Sequence, residues 1–187
     1  MHKTLPKFYY FIDKLNIEEV KNLNKKIAII YRNYQKEPLI DEIIEFRKYC
    51  KKNNHIFIIS NYFEIALRYN LDGIYIPAFN KKIIKKKFIN KKNFIIIGSA
   101  HNIKEIRIKE YQKVQQIFIS SIFPIKKSKN HLDITKFNLL SNLTKKPIIA
   151  LGGINKNNIK KLNMTNAYGF ASINYIKNKN RISNLIL

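Results

Sequence analysis

Short apolar runs rich in Ile, Phe and Tyr alternate with longer amphipathic stretches along the whole chain. The runs predict strands at Phe8 to Ile12, Ile27 to Tyr31, Ile56 to Ser60, Gly73 to Ile76, Phe94 to Gly98, Ile117 to Ser121, Pro147 to Leu151 and Gly169 to Ile173. Their apolar content is continuous rather than alternating, which suits parallel strands covered on both faces. Between them, Pro38 to Lys52 is the clearest helix: Leu39, Ile40, Ile43, Ile44, Phe46, Arg47 and Cys50 recur at helical spacing, and Pro38 suits a first turn. Glu64 to Tyr69, Ile103 to Lys109, Ile134 to Leu143 and Lys156 to Leu162 give weaker versions of the same pattern. Strands alternating with helices through short polar links imply right-handed βαβ units and a parallel sheet, and eight such units predict a closed (β/α)8 TIM barrel of the α/β class. With 187 residues the barrel must be compact, since the fold typically takes about 250. The tail NYIKNKNRISNLIL leaves room for a shortened last helix only, and no Pro/Gly/Ser-rich linker interrupts a single domain over residues 1–187.

Composition narrows the setting. The single cysteine, Cys50, excludes an intrachain disulfide, falls on the apolar face of its helix as a buried filler, and fits a reducing, cytoplasmic compartment. The N-terminal apolar run is brief and meets Asp13, and no stretch approaches the roughly 18 apolar residues of a membrane helix, so no membrane partner is expected. The net charge of +24 raises nucleic acid as a partner. Against it, lysine is spread evenly beside equally heavy use of isoleucine and asparagine, three residues with A- and T-rich codons, and the densest runs at Lys81–Lys87 and Lys91–Lys92 lack arginine and aromatic interleaving. A basic surface of this kind steers small anionic substrates. A homo-oligomer is left open.

In a parallel barrel the reactive groups gather where the strands end at their carboxyl side. Those positions hold Arg32-Asn33-Tyr34, Asn61-Tyr62, Pro77 to Asn80, Ser99-Ala100-His101, Ser120 to Lys129, Gly152-Gly153-Ile154 and Ser172-Ile173-Asn174. The set offers a guanidinium, hydroxyls, amides and lysines and no carboxylate, which is chemistry for holding phosphate rather than for moving protons through an acid and a base. Gly152-Gly153 beside Ser172 and Ile173 on the neighbouring strand presents bare backbone amides for a phosphoryl group, although two glycines also serve a tight turn. Asn61 and Ser99 stand where a helix cap is equally in demand. His101 reads as a structural hydrogen-bond partner on a helix shoulder.

The boxes KFYYFID, IYRNY, IISNYFEIALRYNLDGIYIP, IIIGSAHNIKEI, SSIFPIKKSK, ALGGI and GFASI, in that order, resemble the thiamine phosphate synthase and thiazole tautomerase (TenI-like) family over nearly the whole chain. The resemblance implies a transferase that joins hydroxymethylpyrimidine diphosphate to a thiazole phosphate with release of pyrophosphate, in thiamine biosynthesis. It implies that Arg32, Asn61, Ser99 and Lys129 contact the diphosphate, that Gly152, Gly153, Ser172 and Ile173 hold the thiazole phosphate, and that magnesium assists the departure of pyrophosphate, with Arg32, Ser99 and Lys129 the catalytic set.

The chain departs from the family pattern at informative places. The family's lysine after the second strand falls at Tyr34, and its two magnesium-holding aspartates fall at Tyr62 and Asn80. Asn80 still offers a carbonyl oxygen to a hard cation, whereas Tyr62 is a poor replacement. Two alternatives follow: a metal-free tautomerase, whose histidine after the sixth strand is Ser121 here, and a binder of thiamine precursors that has lost catalysis.

Overall fold

The computed structural model describes residues 4–83, 91–125 and 130–177. Eight parallel strands close a barrel in sequence order: β1 (Phe8–Ile12), β2 (Ile27–Tyr31), β3 (Phe57–Ser60), β4 (Gly73–Ile76), β5 (Ile95–Ala100), β6 (Gln116–Ile119), β7 (Ile148–Leu151) and β8 (Gly169–Ala171). The ring shuts where Phe8 and Tyr9 of β1 pair with Phe170 and Ala171 of β8. The expected α/β barrel is therefore the fold. Among the described residues no helix is long and apolar enough to cross a membrane.

Each strand buries both faces, and alternate residues divide the apolar content in two. Tyr9, Phe11, Ala28, Ile30, Ile58, Tyr75, Ile97, Phe118, Ile149 and Ala171 fill the barrel interior, while Tyr10, Ile12, Ile29, Ile59, Ile74, Ile96 and Ile119 face outward onto the helices. Phe118 is the hub inside, its ring edge-on to Tyr9 at 4.8 Å, Tyr75 at 5.5 Å and Phe11 at 6.3 Å. Burying such a ring stabilises by about 2–3 kcal/mol from transfer alone. The Tyr9 hydroxyl, deep in that interior, donates to the Gln116 side chain, whose amide donates to the Pro6 carbonyl at 3.0 Å. A polar residue inside the barrel is thus satisfied rather than stranded.

The helices are α1 (Ile17–Val20), α2 (Ile40–Lys52), α3 (Phe63–Arg68), α4 (Ile103–Tyr111), α5 (Asp133–Ser141), a 3-10 turn over Ile159–Met164, and α6 (Asn174–Lys177). Helix α2 turns Ile43, Phe46 and Cys50 to the core, as its spacing predicts. It starts at Ile40 because Leu39 is extended, which leaves Pro38 outside the first turn. The predicted helix at Lys156 to Leu162 is instead a 3-10 turn displaced toward Met164. Asparagine side chains in the NKNN run compete for backbone groups there: Asn158 Oδ1 accepts from Asn155 N–H, and Asn155 Oδ1 accepts from Asn157 N–H, both at 2.8 Å.

Candidate phosphate-binding site

Behind the carboxyl ends of β6, β7 and β8 lies a cavity of about 950 Å³. Arg32, Gly152, Gly153, Ser172 and Ile173, all singled out from sequence, line it together with His101, Ser121 and Asn174, and no Asp or Glu is among the described lining residues. Strand β7 ends at Leu151 and the chain turns through Gly152 at φ +96° and Gly153 at φ +71°. Both turns are tightly enclosed. A Cβ on Gly153 would stand 2.5 Å from the Pro124 carbonyl oxygen and 2.6 Å from that of Phe123, and one on Gly152 would collide with the Ser121 hydroxyl. Glycine is needed here for backbone conformation and for close approach alike. The Gly153 carbonyl accepts from Asn158 Nδ2 at 2.8 Å and from Asn155 Nδ2 at 3.2 Å.

The amides of Gly152, Gly153, Ile173 and Asn174 have no acceptor among the described residues. Four N–H groups without acceptors thus stand on two adjacent loops that line the cavity together with Arg32, donors of the kind that suits an anion. Ser172 plays a different part. Its N–H donates to the Tyr9 carbonyl at 3.2 Å, continuing the β8–β1 ladder, and its hydroxyl donates to the Ile154 carbonyl at 3.1 Å and accepts from Tyr175 N–H at 3.2 Å. Ser172 is buried and ties the β8 end to the β7 loop, so it sets the spacing of the donors rather than adding its own N–H.

Arg32 follows β2, where its N–H donates to the Ile12 carbonyl at 2.8 Å. Its guanidinium lies 4.3 Å over the Phe11 ring, a cation–π contact that fixes the long side chain against the barrel top. Ser99, on β5 and 5% exposed, sits below the mouth beside the Tyr75 hydroxyl. Burial pushes that hydroxyl up to about 12, against the pull of Ser99 and the Arg32 guanidinium. Tyr75 is therefore a neutral hydrogen-bonding group at physiological pH, and sequence reading took it only as part of a strand.

Asn61, Asn80 and Tyr34 stand on the rim outside the residues that line the cavity. Asn61, at φ +69°, accepts at Oδ1 from Asn80 Nδ2 at 2.6 Å. Neither Asn61 nor Ser99 caps a helix: Tyr62 precedes α3 without a side-chain cap, and Asn102 caps α4 by accepting from Glu105 N–H at 3.0 Å. His101 is half-exposed and bound at Nδ1 to Glu105 at 2.9 Å, the shoulder role expected of it. Tyr34 meets Ser60 Oγ at 3.3 Å and stands edge-on to Phe79 at 5.4 Å. Lys129 lies outside the described residues.

The rim does not fit a magnesium ion. Asn80 Oδ1 accepts from Lys82 N–H at 2.9 Å, and its backbone carbonyl accepts from Lys109 Nζ at 2.9 Å and Gln112 Nε2 at 3.0 Å. A hard cation wants carboxylate oxygens, and these amide oxygens are already committed to N–H donors. Among the described residues no three His, Cys, Asp or Glu side chains come together as a metal-holding group.

The family model for thiamine monophosphate synthase matches residues 16–176. A thiamine-phosphate synthase of Methanococcus vannielii is 28% identical over 185 residues, covering 94% of this chain and 89% of that one. A thiamine-phosphate synthase of Prochlorococcus marinus is 34% identical over 143 residues, covering 74% of this chain and 40% of its longer partner in the comparison. Among solved structures, thiamine phosphate pyrophosphorylase from Pyrococcus furiosus superposes with a TM-score of 0.71 at 23% identity, over 89% of this chain and 85% of that one. A 3-hexulose-6-phosphate synthase gives 0.65 at 12% identity, over 89% of each chain, a likeness of fold alone. With the match running from before β2 into α6, the chain belongs to the thiamine monophosphate synthase family.

Proposed function

We propose that this chain is a transferase of thiamine biosynthesis, joining hydroxymethylpyrimidine diphosphate to a thiazole phosphate and releasing pyrophosphate. The observation that carries this reading is that the acceptor-free amides of Gly152, Gly153, Ile173 and Asn174 and the Arg32 side chain line one cavity with no Asp or Glu among its described residues. The amides suit the thiazole phosphate, and the guanidinium suits the diphosphate. In the reaction the C–O bond to the diphosphate breaks with both electrons leaving on oxygen, and the thiazole nitrogen closes a new C–N bond to the pyrimidine methylene carbon. No proton need be removed to form that bond, which accords with a site lacking an acid–base pair. Charge builds on the departing pyrophosphate, and a guanidinium held rigidly on Phe11 stabilises it without reorganising.

Neither Asn61 nor Asn80 supplies a metal cage, so a magnesium ion taking part would come with the diphosphate oxygens and water. The tautomerase alternative needs a proton carrier beyond β6, but Ser121 there donates its hydroxyl to the Phe123 carbonyl at 2.6 Å. The basic surface serves to attract these anions rather than nucleic acid, and the buried Cys50 thiol accords with a cytoplasmic setting.

Purified chain incubated with both phosphorylated substrates, with magnesium and separately with chelator, is expected to form thiamine phosphate. No product above a blank in either arm, from folded protein, rejects the proposal.

A further inference from the structure

Lys109 is 0% exposed, in a chain whose other described lysines lie at the surface or part-buried. Its Nζ reaches three oxygens: the Pro77 carbonyl at 2.8 Å, the Asn80 carbonyl at 2.9 Å and Gln112 Oε1 at 2.9 Å. Only the ammonium carries three N–H donors, so satisfying all three acceptors requires the charged form. None of the three is a carboxylate. The charge is held by carbonyl dipoles, as a small cation would be. Burial lowers its pKa to about 8, with Glu105 on the same helix pulling the other way.

The pocket is built for this side chain. Gly98 on β5 leaves room for the stem, since a Cβ there would stand 2.8 Å from Lys109 Cδ. Gln112, also buried, donates from Nε2 to the Asn80 carbonyl at 3.0 Å and to the Lys82 carbonyl at 2.7 Å. Together the two side chains grip three carbonyls of the loop that follows β4. That loop carries Phe79, whose ring meets Tyr34 beyond β2, and Asn80, whose amide meets Asn61 beyond β3. One buried cation thereby sets the positions of three consecutive strand ends.

We propose that Lys109 is a positioning residue of the reaction: an internal ammonium that fixes the β4 loop and so holds the Asn61–Asn80 side of the mouth ready for the pyrimidine diphosphate. The inference rests on the proposed activity, with the diphosphate reaching Asn61 as the family resemblance implies and the thiazole phosphate held on the Gly152–Gly153 side. The grip itself is a separate, physical claim.

Lys109→Met keeps the stem and removes the charge. Hydrogen–deuterium exchange and steady-state kinetics on the full chain test it together. Amides of residues 78–83 are expected to exchange about tenfold faster than in the parent, while those of residues 148–155 stay unchanged. KM for the pyrimidine diphosphate is expected to rise roughly tenfold, with KM for the thiazole phosphate within about twofold. Unchanged exchange at 78–83, a rise shared equally by all strands, or equal shifts in both KM values overturns the proposal. If Lys109→Met fails to fold, Gln112→Leu, which removes the bonds from Gln112 to the Asn80 and Lys82 carbonyls and one of the three acceptors of the ammonium, must show the same local loosening, and its absence overturns the proposal as well. A parent chain that forms no thiamine phosphate sinks the proposed activity and the positioning role with it, while exchange at 78–83 still reports on the grip.

Discussion

Replacing Gly153 by alanine tests the phosphate site at its most constrained atom. The residue sits at φ +71°, where a side chain costs about 1–2 kcal/mol. The added Cβ would lie 2.5 Å from the Pro124 carbonyl oxygen, so the loop after β6 must retreat to the 3.4 Å of an ordinary contact, about 0.9 Å. Overpacking of this kind adds roughly 1–3 kcal/mol, which the barrel must absorb. A shift of that size should also turn the Gly153 N–H off the phosphate proposed for it. A hydrogen bond to a charged group contributes about 1.5–3 kcal/mol, so losing one predicts a KM for thiazole phosphate raised roughly 10- to 100-fold. The phosphate is remote from the reacting nitrogen and held alike in ground and transition states, so kcat should move little. The assay is steady-state kinetics with thiazole phosphate and, in parallel, the unphosphorylated thiazole alcohol, with folding checked by thermal denaturation. The expected result is a selective loss for the phosphate that brings the two substrates together. An unchanged KM, or an equal loss for both, refutes the reasoning.

Three further outcomes follow from the same structure. Arg32→Lys keeps the charge but loses the planar contact with Phe11, and should lower kcat by about 10-fold or more with thiazole phosphate KM nearly unchanged, measured by product formation at saturating substrates. Phe118→Ala removes the ring shared by Tyr9, Phe11 and Tyr75 and should reduce the free energy of unfolding by about 3–5 kcal/mol in a urea titration; a loss under about 1 kcal/mol would show that the interior collapses around it. Burial pushes the Cys50 thiol up to about 12, so at pH 7 to 9 the folded protein should consume no thiol reagent, and a full equivalent should react once denaturant is added.

The barrel was legible because each strand is buried on both faces, and a continuous apolar run between polar links marks such a strand in any register. The ends were less so. Strand β5 continues to Ala100 rather than stopping at Gly98, because Ser99 and Ala100 are small enough to stay in the ladder opposite Phe118 and Ile119. Strand β6 stops at Ile119, two residues early, where Ser121 turns its hydroxyl to Phe123. Strand β8 stops at Ala171, because the Ser172 hydroxyl takes the N–H of Tyr175 and starts α6.

The tight turn beside the cavity was legible in the paired glycines, whose lack of a side chain is itself a signal. Of the two residues expected to offer amides at the end of β8, Ser172 spends its N–H on the Tyr9 carbonyl, and the open amide is that of Ile173. Tyr75 was hidden inside an apolar strand, and only its neighbours Arg32 and Ser99 give its hydroxyl a meaning. Lys109 looked like one more of 36 basic residues. A weak trace existed, since Ile106, Lys109 and Gln112 recur every third residue on the face of α4 that turns inward.

Amide NMR shifts on titration with thiazole phosphate test the central claim most directly, because each proposed donor reports for itself. The N–H resonances of Gly152, Gly153, Ile173 and Asn174 should move downfield with the phosphate and stay in place with the alcohol. Shifts centred instead on Asn61 and Asn80, with those four amides unmoved, would contradict it.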